Sequence, residues 1–262
     1  MADKNEQFRT RPIVIGVLPA RYGSTRFEGK VLARETGKFL VQHTYEQAKK
    51  AKEIDRILIA ADDERVKKAC DSFGAECVMT SAAHNSGTDR IAQAVANIEA
   101  DIILNIQADE PEIDPVSLDY ITSLMLENPD CPMATLATPF SDIEFIKNPN
   151  IVKVILNKNN RAIYFSRSVI PYDRDGGGAG DKKNYLRHLG IYAYRRDFLL
   201  KLTTLPQSRL EKIEKLEQLR VIENGFDIFV GKVEHFAEGI DTNEQYQAFA
   251  ERYKRTINDR KQ

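Results

Sequence analysis

Short apolar segments with β character alternate with amphipathic helical segments through the first half of this chain. Four strands are predicted, at residues 13–16, 54–61, 75–79 and 101–106. Three helices follow strands, at residues 64–73, 86–98 and 114–127. Apolar residues at helical spacing support the first helix, where Val66, Ala69, Cys70 and Phe73 share one face. Strands that alternate with helices form a largely parallel sheet covered on both faces, so the sequence predicts the α/β class.

The second half of the chain departs from this rhythm after a proline-rich joint at residues 128–132. β character returns at residues 133–139, 151–156 and 187–194, and the helix–strand alternation resumes with a helix at 210–223, a strand near 226–233 and a terminal helix at 243–256. Residues 173–183 contain four glycines, but no strand-to-helix switch frames them. They therefore predict a flexible surface loop and not a phosphate-binding loop.

The charge balance excludes several classes of partner. Lys and Arg number 38 against 39 Asp and Glu, so no general electrostatic attraction to nucleic acid or an anionic membrane is expected. Apolar runs fall well short of the ~20 residues that span a bilayer, and residues 1–7 lack the apolar core of a signal peptide. Three scattered cysteines do not make a disulfide framework or a metal cluster, and Cys70 is predicted to be a core residue. We expect a soluble, cytoplasmic protein without membrane insertion.

A basic loop follows the first predicted strand and carries Arg21, Arg26 and Lys30. Ligands of open α/β sheets bind beyond the carboxyl ends of the strands, and Arg and Lys are common partners of phosphate oxygens. Gly23 and Gly29 allow the backbone to turn and to approach a ligand closely. A basic loop is more often a solvated connection, but the position directly after the first strand favours an anion site here.

Acidic residues follow a second predicted strand, in the segment 105–111. Asp109 offers hard oxygen ligands of the kind that Mg²⁺ takes while it shares phosphate oxygens. The alternative is that Asp109 or Glu110 caps the next helix, but Asp114 followed by Pro115 is the better predicted cap. Hydroxyls and amides at 84–90 open another helix and suit an anion or a ribose.

Asp241 is a second acidic residue that is either a ligand of the site or a helix cap. It lies in the segment Glu-Gly-Ile-Asp-Thr-Asn-Glu, just before the terminal helix, and this spacing favours a helix cap.

Several common catalytic signatures are missing from the sequence. It has no Gly-x-x-x-x-Gly-Lys-Ser/Thr loop, no Gly-x-Gly-x-x-Gly fingerprint, no Gly-x-Ser-x-Gly elbow and no His-Glu-x-x-His. These absences argue against ATPase, dehydrogenase, hydrolase and zincin functions.

From about residue 13 to residue 252 the chain resembles the 3-deoxy-manno-octulosonate (Kdo) cytidylyltransferases, the CMP-Kdo synthetases of bacterial lipopolysaccharide assembly. The order and spacing of nine motifs carry the resemblance: Pro-Ala-Arg-Tyr-Gly-Ser-Thr-Arg…Gly-Lys (19–30), Met-Thr (79–80), His-Asn-Ser-Gly-Thr-Asp-Arg (84–90), Gln-Ala-Asp-Glu-Pro (107–111), Asn-Pro-Asn-Ile-Val-Lys-Val (148–154), Tyr-Phe-Ser-Arg (164–167), Arg-His-Leu-Gly-Ile-Tyr (187–192), Leu-Glu-Gln-Leu-Arg (216–220) and Gly-Ile-Asp-Thr (239–242). Three positions depart from the pattern: Phe27-Glu28 replaces a usual Leu-Pro, Ala108 a usual Gly, and Tyr172 a common Trp.

The resemblance implies a three-layer αβα nucleotide-sugar transferase fold with a mostly parallel mixed sheet. It implies a single nucleotidyltransferase domain at residues 12–256, in which an inserted region at about 130–190 serves dimerisation and the sugar side. The implied reaction joins CTP and Kdo to give CMP-Kdo and pyrophosphate, with Mg²⁺ as cofactor and a homodimer as the assembly.

The resemblance also implies roles for individual residues. Those implied for catalysis are Arg21, Lys30 and Asp109, and those implied for the metal are Asp109 and Asp241. The nucleotide would contact Pro19, Ala20, Arg21, Lys30, Thr80, Ser86, Gly87, Thr88, Arg90 and Gln107. The sugar acid would contact Arg26, Gln107, Arg167, His188, Tyr192, Glu217 and Gln218.

Spacing alone does not support all of these roles. His188 and Tyr192 lie four apart on one face of a predicted strand, where such residues are more often part of the core. Glu217 falls only at the edge of the apolar arc of the predicted helix. Three other functions stay open at this point: a sister cytidylyltransferase for an amino-substituted Kdo or a neuraminic acid, a metal-dependent glycosyltransferase, and a non-catalytic nucleotide-binding module.

Overall fold

The computed structural model describes residues 11–23 and 26–259. Ser24 and Thr25 of the basic loop lie outside the described residues, as do the amino-terminal residues examined for a signal peptide. The strands are β1 (Val14–Ala20), β2 (Arg56–Ala61), β3 (Cys77–Met79), β4 (Ile102–Asn105), β5 (Met133–Pro139), β6 (Lys153–Leu156), β7 (Ala162–Ser166), β8 (Leu186–Arg195) and β9 (Ile228–Lys232). The helices are α1 (Leu40–Ala48), α2 (Glu64–Ser72), α3 (Gly87–Val95), α4 (Pro115–Glu127), α5 (Ile143–Lys147), α6 (Arg196–Thr204), α7 (Arg209–Glu214), α8 (Gln218–Glu223) and α9 (Asn243–Asp259).

The strands form one mixed sheet in the order β3-β2-β1-β4-β8-β5-β9. Pairings β2–β3, β1–β2, β1–β4 and β5–β9 are parallel, whereas β8 runs antiparallel to both of its neighbours β4 and β5. Along this row only β8 is reversed. The prediction of a mostly parallel mixed sheet is confirmed.

Helices cover both faces of the sheet because the central strands are apolar on both sides. In β1, Val14 and Leu18 pack into a core that includes residues of α1, α2 and α4. The alternate residues Ile15 and Val17 pack into a second core with residues of α3, α6 and α8. Two cores separated by one sheet make the three-layer αβα arrangement that the sequence analysis expected.

The region at residues 130–190 contains strands of the main sheet together with an antiparallel extension. β5 and β8 pair with each other in the main sheet, and β6 pairs with both β7 and β8. The glycine-rich loop at 173–183 lies largely exposed on the surface, closed by mutual backbone hydrogen bonds between Asp173 and Gly178.

Local expectations about caps and cysteines are also confirmed. The carboxylate of Asp114 accepts the amide hydrogen of Val116 at 3.0 Å and so caps α4, with Pro115 at the first helical position. Cys70 is fully buried, and the three cysteines are free thiols.

The prediction of one helix at 210–223 is wrong. The chain forms α7 and α8, separated at Lys215, which adopts left-handed backbone angles (φ 54°, ψ 46°). The break brings Glu211 and Arg220 together as a buried pair, with Arg220 Nε 2.8 Å from Glu211 Oε2 and Arg220 Nη2 2.5 Å from Glu211 Oε1. Nine residues are roughly two and a half turns of helix, so an unbroken helix would put these side chains on opposite faces. Helices α1, α5 and α6 were not predicted.

In the part of the chain that the structure describes, no helix is both long enough and apolar enough to cross a membrane.

The Glu211–Arg220 pair predicts a large loss of stability for Arg220→Met. Both side chains are less than a tenth exposed, and removal of the guanidinium leaves a buried carboxylate without its partner. We expect the free energy of unfolding to fall by about 3–5 kcal/mol in a denaturant titration. The double variant Glu211→Leu/Arg220→Met is the control, because it removes both charges and should recover much of this loss. A double variant no more stable than Arg220→Met would contradict this account of the corner between α7 and α8.

Candidate active site

A polar cavity of about 330 Å³ opens at the carboxyl ends of β1 and β4, the edge where ligands of open α/β sheets bind. Its walls come from the loop after β1, the start of α3, the loop after β4 and the segment before α9. The lining residues are Pro19, Arg21, Arg26, Lys30, Val31, His84, Asn85, Ser86, Gly87, Arg90, Gln107, Ala108, Asp109 and Asp241.

The loop after β1 presents its cations to this cavity. Gly29 has a φ of +64°, and its amide donates to the carbonyl of Tyr22 at 3.1 Å, which closes the loop. A side chain at Gly29 would be strained by this φ and would press on the ring of Tyr22. Lys30 then begins a short 3₁₀ turn and is 9% exposed, so its stem is packed while its ammonium faces the cavity.

Two carboxylates share the ammonium of Lys30. Its Nζ lies 2.5 Å from Asp109 Oδ2 and 3.3 Å from Asp241 Oδ1, and Asp241 Oδ1 also lies 2.9 Å from Arg26 Nη2. Residues from three distant parts of the sequence thereby meet at one point of the cavity. The resemblance placed Lys30, Asp109 and Asp241 in one site, and the structure brings these three together.

The spacing-based interpretation of Asp241 as a helix cap is wrong. Thr242 caps α9: its hydroxyl accepts the amide hydrogen of Gln245 at 3.3 Å, and Gln245 Oε1 accepts those of Asp241 and Thr242 in return. This reciprocal pattern is a capping box. It leaves the carboxylate of Asp241 directed at Lys30 and Arg26.

The donor set fits a divalent ion of the magnesium type. One ammonium contacts both Asp109 and Asp241, so the two carboxylates lie close enough to share a single small cation. Among the described residues no group of three or more acidic, His or Cys side chains gathers in this way. Mg²⁺ commonly takes only one or two carboxylates and completes its shell with water and substrate phosphate oxygens.

The amino end of α3 forms the wall opposite these acids. The hydroxyl of Ser86 caps the helix by accepting the amide hydrogen of Asp89 at 3.1 Å, and Gly87 lies against Pro19. A helix amino end carries partial positive charge, which suits phosphate.

The structure places most but not all of the expected nucleotide residues on the cavity wall. Pro19, Arg21, Lys30, Ser86, Gly87, Arg90 and Gln107 line it, whereas Ala20, Thr80 and Thr88 do not. Thr80 is buried: its hydroxyl donates to the carbonyl of Ala61 at 2.9 Å and accepts from Arg90 at 2.7 Å. The hydroxyl of Thr88 donates to the carboxylate of Glu217.

A second cavity of about 350 Å³ adjoins the first. It is lined by Asn150, Ile151, Val152, Arg187, His188, Gly190, Tyr192, Lys215, Leu216, Glu217 and Gln218, which include four of the expected sugar residues. Gln107 Nε2, on the wall of the first cavity, donates to the carbonyl of Gly190 at 3.4 Å on the wall of the second. The two cavities therefore meet at Gln107, while Arg26 belongs to the first.

His188 is held as a neutral ring in the second cavity. Burial lowers its pKa to about 3, and its Nε2 lies 3.0 Å from Thr135 Oγ1. The single hydroxyl proton of Thr135 is directed at the backbone carbonyls of Leu189 and Ile191, at 3.1 and 2.7 Å. His188 Nε2 must then donate to Thr135, which leaves Nδ1 as a hydrogen-bond acceptor.

Glu217 and Gln218 contribute an acid and an unpaired amide to the same wall. Burial raises the pKa of Glu217, opposed by the Thr88 hydroxyl and by Arg220. The Nε2 of Gln218 is buried and finds no hydrogen-bond partner among residues 11–23 and 26–259. A buried amide donor without a partner on a cavity wall is suited to an oxygen-rich ligand.

Arg167 lies behind this wall. Its guanidinium donates to the backbone carbonyls of Glu214 at 2.7 Å, Pro149 at 3.0 Å and Lys215 at 3.5 Å. The sequence did not predict these three hydrogen bonds, because the carbonyls belong to two segments that are distant from Arg167 along the chain.

Arg187 and Glu238 were not predicted as site residues; they pair at 3.1 Å beside a smaller cavity next to Asp109. Glu110 faces that cavity, where burial and the neighbouring Asp109 raise its pKa to about 8. Arg187 directly precedes His188, and this position was the one feature of the sequence that could have indicated a place near the site.

Known proteins of similar sequence are cytidylyltransferases. A family model described as cytidylyltransferase matches residues 15–228. The chain is 46% identical over 244 residues to the 3-deoxy-manno-octulosonate cytidylyltransferase of Solibacter usitatus, which covers 93% of this chain and 96% of the relative. It is 45% identical over 241 residues to the enzyme of the same name from Rhodopirellula baltica, covering 90% and 96%.

Solved structures of similar fold belong to the same class of enzyme. A structure of CMP:2-keto-3-deoxy-manno-octonic acid synthetase complexed with CTP superposes with a TM-score of 0.88 at 39% identity, covering 93% of this chain and 99% of that one. A cytidylyltransferase from Leptospira borgpetersenii has a TM-score of 0.61 at 18% identity, covering 92% and 86%, and shows a likeness of fold alone. The chain belongs to the cytidylyltransferase family, and within it to the 3-deoxy-manno-octulosonate cytidylyltransferases.

Proposed function

We propose that this protein transfers the cytidylyl group of CTP to Kdo and releases pyrophosphate. The observation that carries the proposal is the meeting of Lys30, Asp109 and Asp241 in a cavity whose wall is hydrogen-bonded, through Gln107, to the wall of a second one. The first cavity offers cations and a helix amino end for a triphosphate. The second offers the mixed donors and acceptors that a polyhydroxy acid needs.

The reaction forms a bond from the anomeric oxygen of Kdo to the α-phosphorus and breaks the bond from that phosphorus to the oxygen bridging to the β-phosphate. The anomeric hydroxyl loses its proton, and pyrophosphate leaves with the electron pair. Such transfers need little covalent chemistry from the protein, so positioning and charge neutralisation supply most of the rate. We assign this neutralisation to Arg21 and Lys30 on the loop after β1.

We assign a Mg²⁺ site to Asp109 and Asp241. When bound, the ion supplies Lewis acidity to phosphate oxygens and lowers the pKa of a coordinated hydroxyl. The backbone holds the two carboxylates near each other. The amide of Ile240 donates to the carbonyl of Asp109 at 2.9 Å and so joins the segment before α9 to the loop after β4.

We place the sugar acid in the second cavity. There the neutral His188 supplies an acceptor, Gln218 an unpaired donor and Glu217 a carboxylate for hydroxyl groups. Arg26, at the mouth of the first cavity beside Asp241, is a candidate partner for the sugar carboxylate.

We further propose a cytoplasmic homodimer. Three large apolar side chains of the region at 130–190 are about half exposed or more: Phe145, Ile163 and Tyr172. Exposed apolar side chains of this size are suited to burial against a second copy of the chain.

The function is tested by pyrophosphate release from CTP with a panel of sugar acids. We expect turnover with Kdo to exceed that with an amino-substituted Kdo and with neuraminic acid, and CTP to be preferred to UTP. A preference for another sugar acid would move the protein to a sister activity. No turnover with any of them would contradict a cytidylyltransferase function.

Lys30→Ala should lower kcat/KM at least about 30-fold, which corresponds to ~2 kcal/mol of transition-state stabilisation from one preorganised charge. Lys67→Ala is the matched control, since that lysine pairs with Asp71 on the exposed face of α2 and should keep the parental rate. A kcat/KM for Lys30→Ala within about threefold of the parent would overturn the role of Lys30.

Asp241→Asn should abolish most activity and raise the Mg²⁺ requirement, while the melting temperature changes little because Thr242 caps the helix. Asp109→Asn should behave in the same way. Thr242→Ala is the control: it should cost about 1 kcal/mol of stability and leave the Mg²⁺ requirement unchanged. Full activity of Asp241→Asn at low Mg²⁺ would remove Asp241 from the metal site.

A further inference from the structure

Lys153 on β6 is a fully buried lysine whose neighbours are carbonyl groups. Its Nζ donates to the backbone carbonyls of Arg167 at 2.6 Å, Ile151 at 2.8 Å and Asn148 at 3.1 Å. A protonated ammonium has three N–H donors, so this geometry uses each of them once.

Such a lysine is costly to keep. Burial lowers its pKa to about 8, partly offset by Glu214, whose carboxylate is itself engaged by the Ser166 hydroxyl and the Arg167 amide. A leucine or methionine would fill the same space without this desolvation penalty. What the lysine provides and an apolar side chain would not is the set of hydrogen bonds to the three carbonyls.

One of those carbonyls, that of Ile151, belongs to a residue on the wall of the second cavity. Asn148 and Ile151 bound the turn that supplies Asn150 and Ile151 to one wall. The third carbonyl belongs to Arg167, whose guanidinium reaches across to the carbonyls of Pro149, Glu214 and Lys215. Lys215 begins another wall of that cavity, which continues through Glu217 and Gln218. A chain of hydrogen bonds thus runs from one wall through Lys153 and Arg167 to the other.

We propose that Lys153 is a positioning residue for the sugar-acid site: its three hydrogen bonds fix the turn at 148–151 to the end of β7 and so set the separation of the two cavity walls. This inference rests on the proposed function, because it takes the second cavity as the place of the sugar acid. Lys153 does not line that cavity and acts on the ligand only through the backbone.

The test compares the Michaelis constants of the two substrates in Lys153→Met, which keeps the apolar stem and removes all three donors. We expect KM for Kdo to rise at least about tenfold while KM for CTP stays within about twofold, because only the wall of the second cavity loses its anchor. The first cavity takes its walls from other segments of the chain.

Arg195→Met is the matched control. Arg195 also holds backbone carbonyls, those of Met125 and Asn128 at the carboxyl end of α4, but it lies at the end of β8 away from both cavities. It should lower the melting temperature and leave both Michaelis constants unchanged. If Lys153→Met does not fold, Lys153→Gln retains an amide donor, and a rise in KM for Kdo of about threefold or more is expected.

An unchanged KM for Kdo in a folded Lys153 variant would overturn the proposal, as would equal rises in both Michaelis constants. An incorrect assignment of the function would give a different result: the parent enzyme itself would not release pyrophosphate from CTP and Kdo.

Discussion

The pairing of Lys30 with Asp109 and Asp241 is the interaction on which the organisation of the site depends. Two carboxylates in one small cavity repel each other, and a shared ammonium between them offsets that repulsion. The pairing also joins the loop after β1, the loop after β4 and the segment before α9. Under the proposed function, CTP with Mg²⁺ would supply charges of both signs, which would replace these contacts and free Lys30 for the phosphates.

The fold was predictable because its signals are local and periodic. The apolar runs of β1, β2 and β4 are buried on both faces, and such runs between helices are typical of parallel strands. The break between α7 and α8 was not predictable in this way. It depends on the pairing of Glu211 with Arg220, and a helical pattern extends through both residues. Tertiary contacts overrode local propensity at that point.

The site was predictable only in part, for a similar reason. Sequence identifies which polar residues follow a strand, but the direction of each side chain depends on neighbours from elsewhere. Asp241 and Thr242 are adjacent, and spacing could not decide which of them caps α9. Thr80 and Thr88 belong to the resembling motifs, yet both hydroxyls turn to protein partners and not to the cavity. Motif membership therefore gave the neighbourhood of a residue more reliably than its contacts.

The two cavities differ in how their walls are held, and this difference fits the proposed division of substrates. The nucleotide side combines the loops after β1 and β4 with the capped amino end of α3, and the ion pairs of Lys30 join its loops. The sugar side combines residues of β8 with a turn at 148–151 and a helix break at Lys215, and these last two lie outside regular structure. Irregular backbone contributes a precise binding wall only when its carbonyls are tied down by side chains. The buried Lys153 and the partly exposed Arg167 supply those ties, so these two cations do for the sugar side what Lys30 does for the nucleotide side.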